Sequence, residues 1–127
     1  MHLKTGIGSL SAYCGVICAG VGAASGICYL KGGKYHEISH TIVNALAIDS
    51  GVICDGAKAS CAAKIASAID SAILGMHMVE YGKEFCAGDG IVTKGVENTI
   101  KNVGRLAADG MRKTDEEIIN IMIRSNC

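Results

Sequence analysis

The sequence predicts an all-α protein, a compact bundle of about five helices that includes a buried helix rich in small residues. Apolar residues recur every three or four positions along most of its 127 residues, which is the helical period. Half of the residues are hydrophobic, yet only five are Phe or Tyr, whereas 17 are glycine. Such a core has to use small residues, so we expect closely approaching helices. We find no linker or internal repeat, so a single domain over residues 1–127 is expected.

The first predicted helix covers residues 9–30 and ends at Lys31-Gly32-Gly33, a typical glycine stop. Residues 6–30 carry no charge, which raises the alternatives of a membrane span or a secretory signal. Gly22-x-x-x-Gly26 is a packing motif that occurs in membranes and elsewhere. The apolar residues are diluted by Gly, Ser and Ala, so we favour a wholly buried helix and no membrane role.

The second and third helices are predicted from four-residue apolar spacing. The second covers residues 35–48, and the third begins near Asp55, whose carboxylate suits an N-cap. The positions that define the two apolar faces are Ile38, Ile42, Val43 and Leu46 in the second helix and Ile65, Ile69 and Ile73 in the third.

A loop over residues 80–90 precedes the last two predicted helices. The fourth helix covers residues 93–109 and is closed by Gly110, and the fifth opens with Thr114 and Glu117, spaced as a capping box. The apolar positions are Val96, Ile100, Val103 and Ala107 in the fourth helix and Ile118, Ile119, Ile121 and Met122 in the fifth.

Charge and cysteine content limit the class of protein. Twelve basic residues balance twelve acidic ones without a basic block, so we expect no nucleic-acid partner. The seven cysteines are an odd number in a chain that can build a core, which argues against a secreted disulfide scaffold. Reduced thiols in the cytoplasm are the expected state, and Cys18, Cys28 and Cys86 are interpreted as packing residues.

The segment ICDGAKASCA, residues 53–62, suggests a metal site. On one straight helix, Cys54 and Cys61 would lie about 10.5 Å apart along the axis. They converge if Cys54 lies in the preceding loop and Cys61 in the second turn, where free backbone N–H groups favour thiolates. Cys14, beside a glycine, is the best third candidate, with Cys18 as its competitor. A zinc site is an alternative, although four ligands are not evident.

Three stretches of the sequence carry a resemblance to a known family. They are SLSAYCGVICAGVGAASGICYLKGG at 9–33, GVICDGAKASCAAKIA at 51–66 and GDGIVTKGVENTIKNVGRLAADGM at 88–111. Together they resemble the C-terminal domain of the L-cysteine desulfidase family, which is related to the alpha-subunit domain of iron–sulfur L-serine dehydratases. The CDGAKxxC motif is specific, and the absence of proline between its cysteines favours the desulfidase side.

The resemblance implies a [4Fe–4S] cluster held by Cys14, Cys54 and Cys61, with one iron left open. It implies β-elimination from L-cysteine, or L-serine, without pyridoxal phosphate. The chain matches only the last third of such an enzyme and lacks the family's N-terminal part. We therefore expect a fragment, a split subunit that needs a separate N-terminal part, or a reduced relative with another role, and a homo-oligomer is possible. The rival hypothesis is a non-catalytic helical interaction module that retains the fold.

Other polar residues are weaker candidates. Lys58 is either a contact for the substrate carboxylate or a solvated lysine, and Asp55 is an N-cap rather than a catalytic acid. Gly88-Asp89-Gly90 is interpreted as a plain turn. His36 and His40 have metal-binding spacing, but without a third ligand they are interpreted as a polar helix face. The two remaining interpretations are that His77 packs or caps near a helix end and that Cys127 belongs to a frayed end.

Overall fold

The computed structural model describes residues 11–124, and this part of the chain is mainly helical, with no strand beyond one isolated bridge. The predicted all-α class with five helices is therefore confirmed. The helices are α1 Gly15–Leu30, α2 Tyr35–Asp49, α3 Ser60–Glu80, α4 Val96–Arg105 and α5 Arg112–Arg124, and a π-helical turn, Leu106–Gly110, links the last two.

Helices α1, α2 and α3 form a closely packed trio. A Cβ atom on Gly20 of α1 would lie 2.6 Å from the carbonyl oxygen of Ala68 in α3. A Cβ atom on Gly75 of α3 would lie 2.9 Å from the backbone nitrogen of Ala45 in α2. Both distances are too short for any side chain, so the expected close approach of helices through small residues is confirmed.

The main core lies where the trio meets the segment before α1 and helix α4. Its buried members are Tyr13, Cys14, Ile17, Leu46, Ala68, Val103 and Ala107. A smaller cluster, Ala24, Ala45 and Ala72, contains one buried alanine from each helix of the trio. The predicted buried face of the fourth helix is therefore confirmed at Val103 in α4 and at Ala107 in the π-helical turn that follows it.

The prediction that the first helix is wholly buried is wrong. Helix α1 begins at Gly15 rather than at position 9, and its buried residues form one stripe, Ile17, Gly20, Ala24 and Cys28. Both α2 and α3 pack on that side, and the opposite side is exposed. Gly22 and Gly26 lie on the exposed side, where an added Cβ atom would have no neighbouring heavy atom within 4 Å, so they are not a packing motif here.

Helix α3 is, by length and composition, apolar enough to cross a membrane, the one helix of the described range that meets this test. The core helix of a soluble protein passes the same test, and α3 packs against both α1 and α2.

Both predicted N-terminal helix caps are wrong. Helix α3 begins at Ser60, so Asp55 is not its N-cap; the Asp55 carboxylate instead pairs with Lys58 and Lys64. Helix α5 begins at Arg112, so Thr114 lies inside it and not at a capping position. Ion pairs with two lysines engage Asp55 in place of the predicted cap, and α5 starts two residues before Thr114.

Candidate functional site

A short antiparallel bridge joins the chain before α1 to the chain before α3. Tyr13 pairs with Ile53, the N–H of Cys14 donates to the carbonyl of Val52 at 3.2 Å, and the N–H of Cys54 donates to the carbonyl of Ala12. Side chains alternate along such a pair, so Cys14 and Cys54 leave it on the same face as diagonal neighbours. Diagonal Cα atoms lie roughly 7–8 Å apart.

Cys61 lies in the first turn of α3, directly after the loop that carries Cys54. Its Sγ accepts a hydrogen bond from the N–H of Lys58 at 3.5 Å and lies 3.6 Å from the carbonyl oxygen of Gly56. Gly56 has a φ of 95°, a conformation that favours glycine. The predicted arrangement, Cys54 in the loop and Cys61 in the helix, is confirmed, with Cys61 in the first turn rather than the second.

Lys64 is a residue of this site that the sequence pattern did not single out. Its ammonium donates to the carbonyl of Ile53 at 3.0 Å and to Oδ1 of Asp55 at 2.6 Å. The hydrogen bond to Asp55 raises the pKa of Lys64, and the charges of Cys14 and Cys61 raise it further. Lys64 is therefore within electrostatic reach of both thiols. Its position three residues after Cys61, on the same helix face, was the available signal.

Asp55 is the anionic centre of this loop. It accepts hydrogen bonds from Lys58 and Lys64, which lower its pKa to about 2. At neutral pH it is therefore a carboxylate between two ammonium groups. Lys58 is half-exposed and held in this ion pair, so its role as a contact for a substrate carboxylate stays a prediction.

The six described cysteines, which lie between residues 14 and 86, are all free thiols. Cys14 is buried, while Cys54 and Cys61 are half-buried. Cys28 is buried and Cys18 packs against the main core, where burial raises its pKa, so both behave as packing residues. Cys86 is exposed, so its interpretation as a packing residue is wrong. The prediction for Cys127 lies outside the described residues.

The remaining polar candidates form local hydrogen bonds or belong to a cluster separate from the three cysteines. In the turn at Gly88-Asp89-Gly90, the Asp89 carboxylate accepts the N–H of Cys86 at 2.7 Å and both glycines have positive φ. His77 hydrogen-bonds to Glu80 at 2.7 Å near the end of α3. Glu84 lies beside His36 and His40 as a third potential metal ligand, and no sequence pattern predicted it there.

The described positions of the three cysteines do not match the ligand spacing of a single zinc ion. Four sulfurs around one zinc lie about 3.8 Å apart, because Zn–S bonds are about 2.3 Å long. Among the described His, Cys, Asp and Glu residues, the group of three whose ligand atoms lie within 4.8 Å of one another is the histidine cluster, not the cysteines. Cysteine thiolates are also the usual ligands of iron–sulfur clusters.

Comparison with known proteins gives consistent matches over nearly the whole chain. The family model described as "Serine dehydratase alpha chain" matches residues 1–120. A UPF0597 protein of Desulfitobacterium hafniense (strain Y51) is 65% identical over 97% of this chain and 29% of its own length. A UPF0597 protein of Treponema denticola is 52% identical over 98% of this chain and 29% of its own.

A UPF0597 protein of Clostridium botulinum is 41% identical over 99% of this chain and 30% of its own length. The chain thus spans about three tenths of the length of the curated relatives it matches. No solved structure matches it.

Proposed function

The chain belongs to the serine dehydratase alpha chain family, and on that premise we propose that it is the [4Fe–4S]-binding domain of an amino-acid lyase that works without pyridoxal phosphate. Cys14, Cys54 and Cys61 are the proposed ligands. The observation that carries this proposal is the Tyr13–Ile53 bridge, which brings together two segments 40 residues apart in sequence and thereby two of the three cysteines.

The surroundings of these cysteines suit an anionic thiolate assembly. Cys14 is only 4% exposed, so a group bound there would be shielded from solvent on that side. The Lys58 N–H points at the sulfur of Cys61, and the Lys64 ammonium lies nearby. Donors and cations close to sulfur stabilise negative charge and tune cluster potential.

The proposed reaction is β-elimination from L-cysteine or L-serine, which yields pyruvate, ammonia and sulfide or water. A cluster with one iron free of protein ligands supplies Lewis-acid chemistry when bound. Lys58 is the proposed contact for the substrate carboxylate, which would compete with Asp55 for its ammonium. Elimination also needs a base for the α-proton. We assign that base to the N-terminal part that the relatives' greater length provides, in a cytoplasmic enzyme.

The test is quantification of iron and acid-labile sulfide after anaerobic reconstitution of the whole chain. We expect close to four irons per chain in the unaltered protein and clear loss in Cys14→Ala, Cys54→Ala and Cys61→Ala. Cys86→Ala is the matched control, because that thiol is exposed and lies outside the proposed ligand set. Iron content in the three ligand variants equal to that of the control would refute the site.

The second candidate function is a non-catalytic interaction module, and one observation favours it. Helix α5 buries none of its residues, although Ile119, Ile121, Met122 and Ile123 are large apolar residues on its surface. Large apolar residues grouped on an exposed helix are typical of a surface that another protein covers. If the reconstituted chain takes up no iron yet binds an N-terminal partner, this function replaces the first.

A further inference from the structure

A second cluster of potential ligands lies at the other end of α2. His36 and His40 project from its first two turns, and Glu84 comes from the loop that follows α3. His36 Nε2 lies 3.4 Å from one carboxylate oxygen of Glu84, and His40 Nδ1 lies 3.3 Å from the other. The imidazole rings are 4.7 Å apart between centroids, and the ligand atoms of the three residues lie within 4.8 Å of one another.

The two N···O distances, 3.4 and 3.3 Å, are close to the spacing of ligand atoms around one Zn²⁺ ion. Zn²⁺ binds imidazole nitrogen and carboxylate oxygen at about 2.0–2.2 Å, so the edges of its tetrahedron are roughly 3.3–3.5 Å long. An N–H···O hydrogen bond is usually shorter, about 2.7–3.2 Å. Nδ1 of His40 is moreover a buried atom with no hydrogen-bond partner, although it faces the Glu84 carboxylate. Buried polar atoms are rarely left in that state.

The position of Glu84 is fixed by its neighbours in the chain. The side chain of Asn44, fully buried in α2, donates to the carbonyl of Lys83 at 3.2 Å and accepts the N–H of Phe85 at 3.0 Å. Both residues that flank Glu84 are therefore tied to the helix that carries the two histidines. Preorganised ligands of this kind reduce the entropy cost of metal binding.

We propose that His36, His40 and Glu84 form a binding site for a divalent transition-metal ion of the Zn²⁺ type. Two imidazoles and one carboxylate are a ligand set that Zn²⁺ accepts with a fourth position open to water or a small ligand. A cavity of about 300 Å³ adjoins His40 and is also lined by Tyr35 and Cys86. The ion would link α2 to the loop that contains Glu84.

This site is separate from the proposed cluster site. His36 and Asp49 are 13 residues apart in α2, which corresponds to about 20 Å along the helix. Cys54 lies beyond the Asp49 end. Loss of one site therefore need not affect the other, and the two proposals can fail independently.

The test is Zn²⁺ stoichiometry at equilibrium with a competing chelator, measured on the full chain. Because the cysteines also take up zinc, the readout is the difference in bound Zn²⁺ per chain between the unaltered chain and each variant. We expect His36→Gln and Glu84→Gln each to bind one equivalent of Zn²⁺ fewer than the unaltered chain, because the affinity of this site falls at least tenfold. His77→Gln is the matched control, since His77 is also a helical, half-exposed histidine beside a glutamate. Cys61→Ala should retain the equivalent.

Side-chain ¹⁵N NMR of the histidines supplies a readout that does not depend on stoichiometry. One site-specific equivalent of Zn²⁺ should shift the ring resonances of His36 and His40 and leave that of His77 unchanged. Equal shifts in all three histidines, or unchanged zinc stoichiometry in both His36→Gln and Glu84→Gln, would overturn the proposal. His36 is 63% exposed in its side chain, so its replacement should leave the fold intact.

Discussion

The side-chain oxygen of Asn44 accepts a hydrogen bond from the backbone N–H of Phe85 at 3.0 Å. The amide nitrogen of the same side chain donates to the carbonyls of Gly75 and Lys83 at 3.1 and 3.2 Å. One fully buried side chain therefore satisfies three backbone groups on α3 and on the loop after it. Such a network is stabilising only while it is complete, because each orphaned buried group costs about 1–3 kcal/mol.

Asn44→Ala should therefore lower the free energy of unfolding by roughly 3 kcal/mol. Urea denaturation monitored by circular dichroism measures it. Asn98→Ala is the control, because the exposed side chain of Asn98 donates to the carbonyl of Lys94 on the surface; this substitution should cost less than about 1 kcal/mol. Similar losses in the two variants would contradict the structural role of Asn44. Zinc binding at His36 should also weaken in Asn44→Ala, since Glu84 loses its support.

The helical architecture could be predicted from the sequence because the four-residue period is a local property. The exact buried faces could not. In α3 the predicted isoleucine row is displaced: Ile65 is 48% exposed, whereas Ala68 and Ala72 are buried. The contact there requires small residues, because backbones approach within van der Waals distance at Gly20 and Gly75. Which apolar row a neighbouring helix selects depends on tertiary packing, which periodicity does not encode.

The candidate site likewise contains positions that local sequence predicts and contacts that it does not. The loop position of Cys54 and the helix position of Cys61 follow from Gly56 and the alanine-rich run after it. The pairing of Cys14 with this loop requires a long-range bridge, which no local pattern reports. The same reason explains the missed Glu84, since it lies more than 40 residues from His40 in the sequence and is positioned by Asn44.

Gly20 and Gly22 are two glycines of α1 that should respond oppositely to alanine. A Cβ on Gly20 meets the backbone of Ala68 at 2.6 Å, so Gly20→Ala should destabilise the protein by about 1–3 kcal/mol. Gly22 is exposed with open space, so Gly22→Ala should stabilise by about 0.5–1 kcal/mol through helix propensity. Thermal unfolding of both variants measures the effect. Equal shifts of the same sign would show that α1 and α3 are not in close contact.

Glu80 connects the ends of α1 and α3, and its ion pairs should make the free energy of unfolding depend on pH. Its carboxylate pairs with Lys31 and with His77, which lower its pKa below 4.5. Because the folded state holds the carboxylate in its ionised form, this stabilisation is complete above about pH 4.5 and is lost as pH falls through the lowered value. Glu80→Gln should therefore be less stable than the unaltered chain at pH 6, with the difference shrinking toward pH 3.

Urea midpoints between pH 3 and 6 measure this effect. Glu116→Gln, an exposed change in α5, is the control and should show no such convergence. A constant difference between Glu80→Gln and the unaltered chain across that range would contradict the ion-pair account.

Lys64 should influence retention of the proposed cluster without being a ligand. Its ammonium holds the loop through Ile53 and Asp55 and lies within reach of Cys14 and Cys61. Lys64→Gln removes that charge and weakens the hold on the loop, because a charged donor bonds more strongly than a neutral one. We expect the reconstituted variant to lose iron to a chelator at least tenfold faster. Lys101→Gln, an exposed change in α4, should match the unaltered chain. Unchanged kinetics in Lys64→Gln would remove Lys64 from the site.

The exposed apolar side of α5 should bind the part of the chain's relatives that this chain does not match. Ile119 and Ile123 are 45% and 63% exposed, and no residue of α5 is buried. Met122 of the same helix approaches Gly56, so a protein bound to α5 would lie beside the cysteine loop. Charged substitutions on this surface should therefore impair docking but not folding, because surface changes usually alter stability by less than about 0.5 kcal/mol.

The corresponding experiment uses the part of the Desulfitobacterium hafniense relative that this chain does not match, about seven tenths of its length, as the partner, co-expressed with this chain. Ile119→Lys and Ile123→Lys should each weaken association at least tenfold, the effect of about 1.4 kcal/mol expected for an apolar interface anchor. Asn120→Lys adds the same charge to an exposed polar position of α5 and should have little effect. If all three variants bind as tightly as the unaltered chain, the partner docks elsewhere, and α1, with its exposed Tyr29 and Leu30, becomes the next surface to substitute.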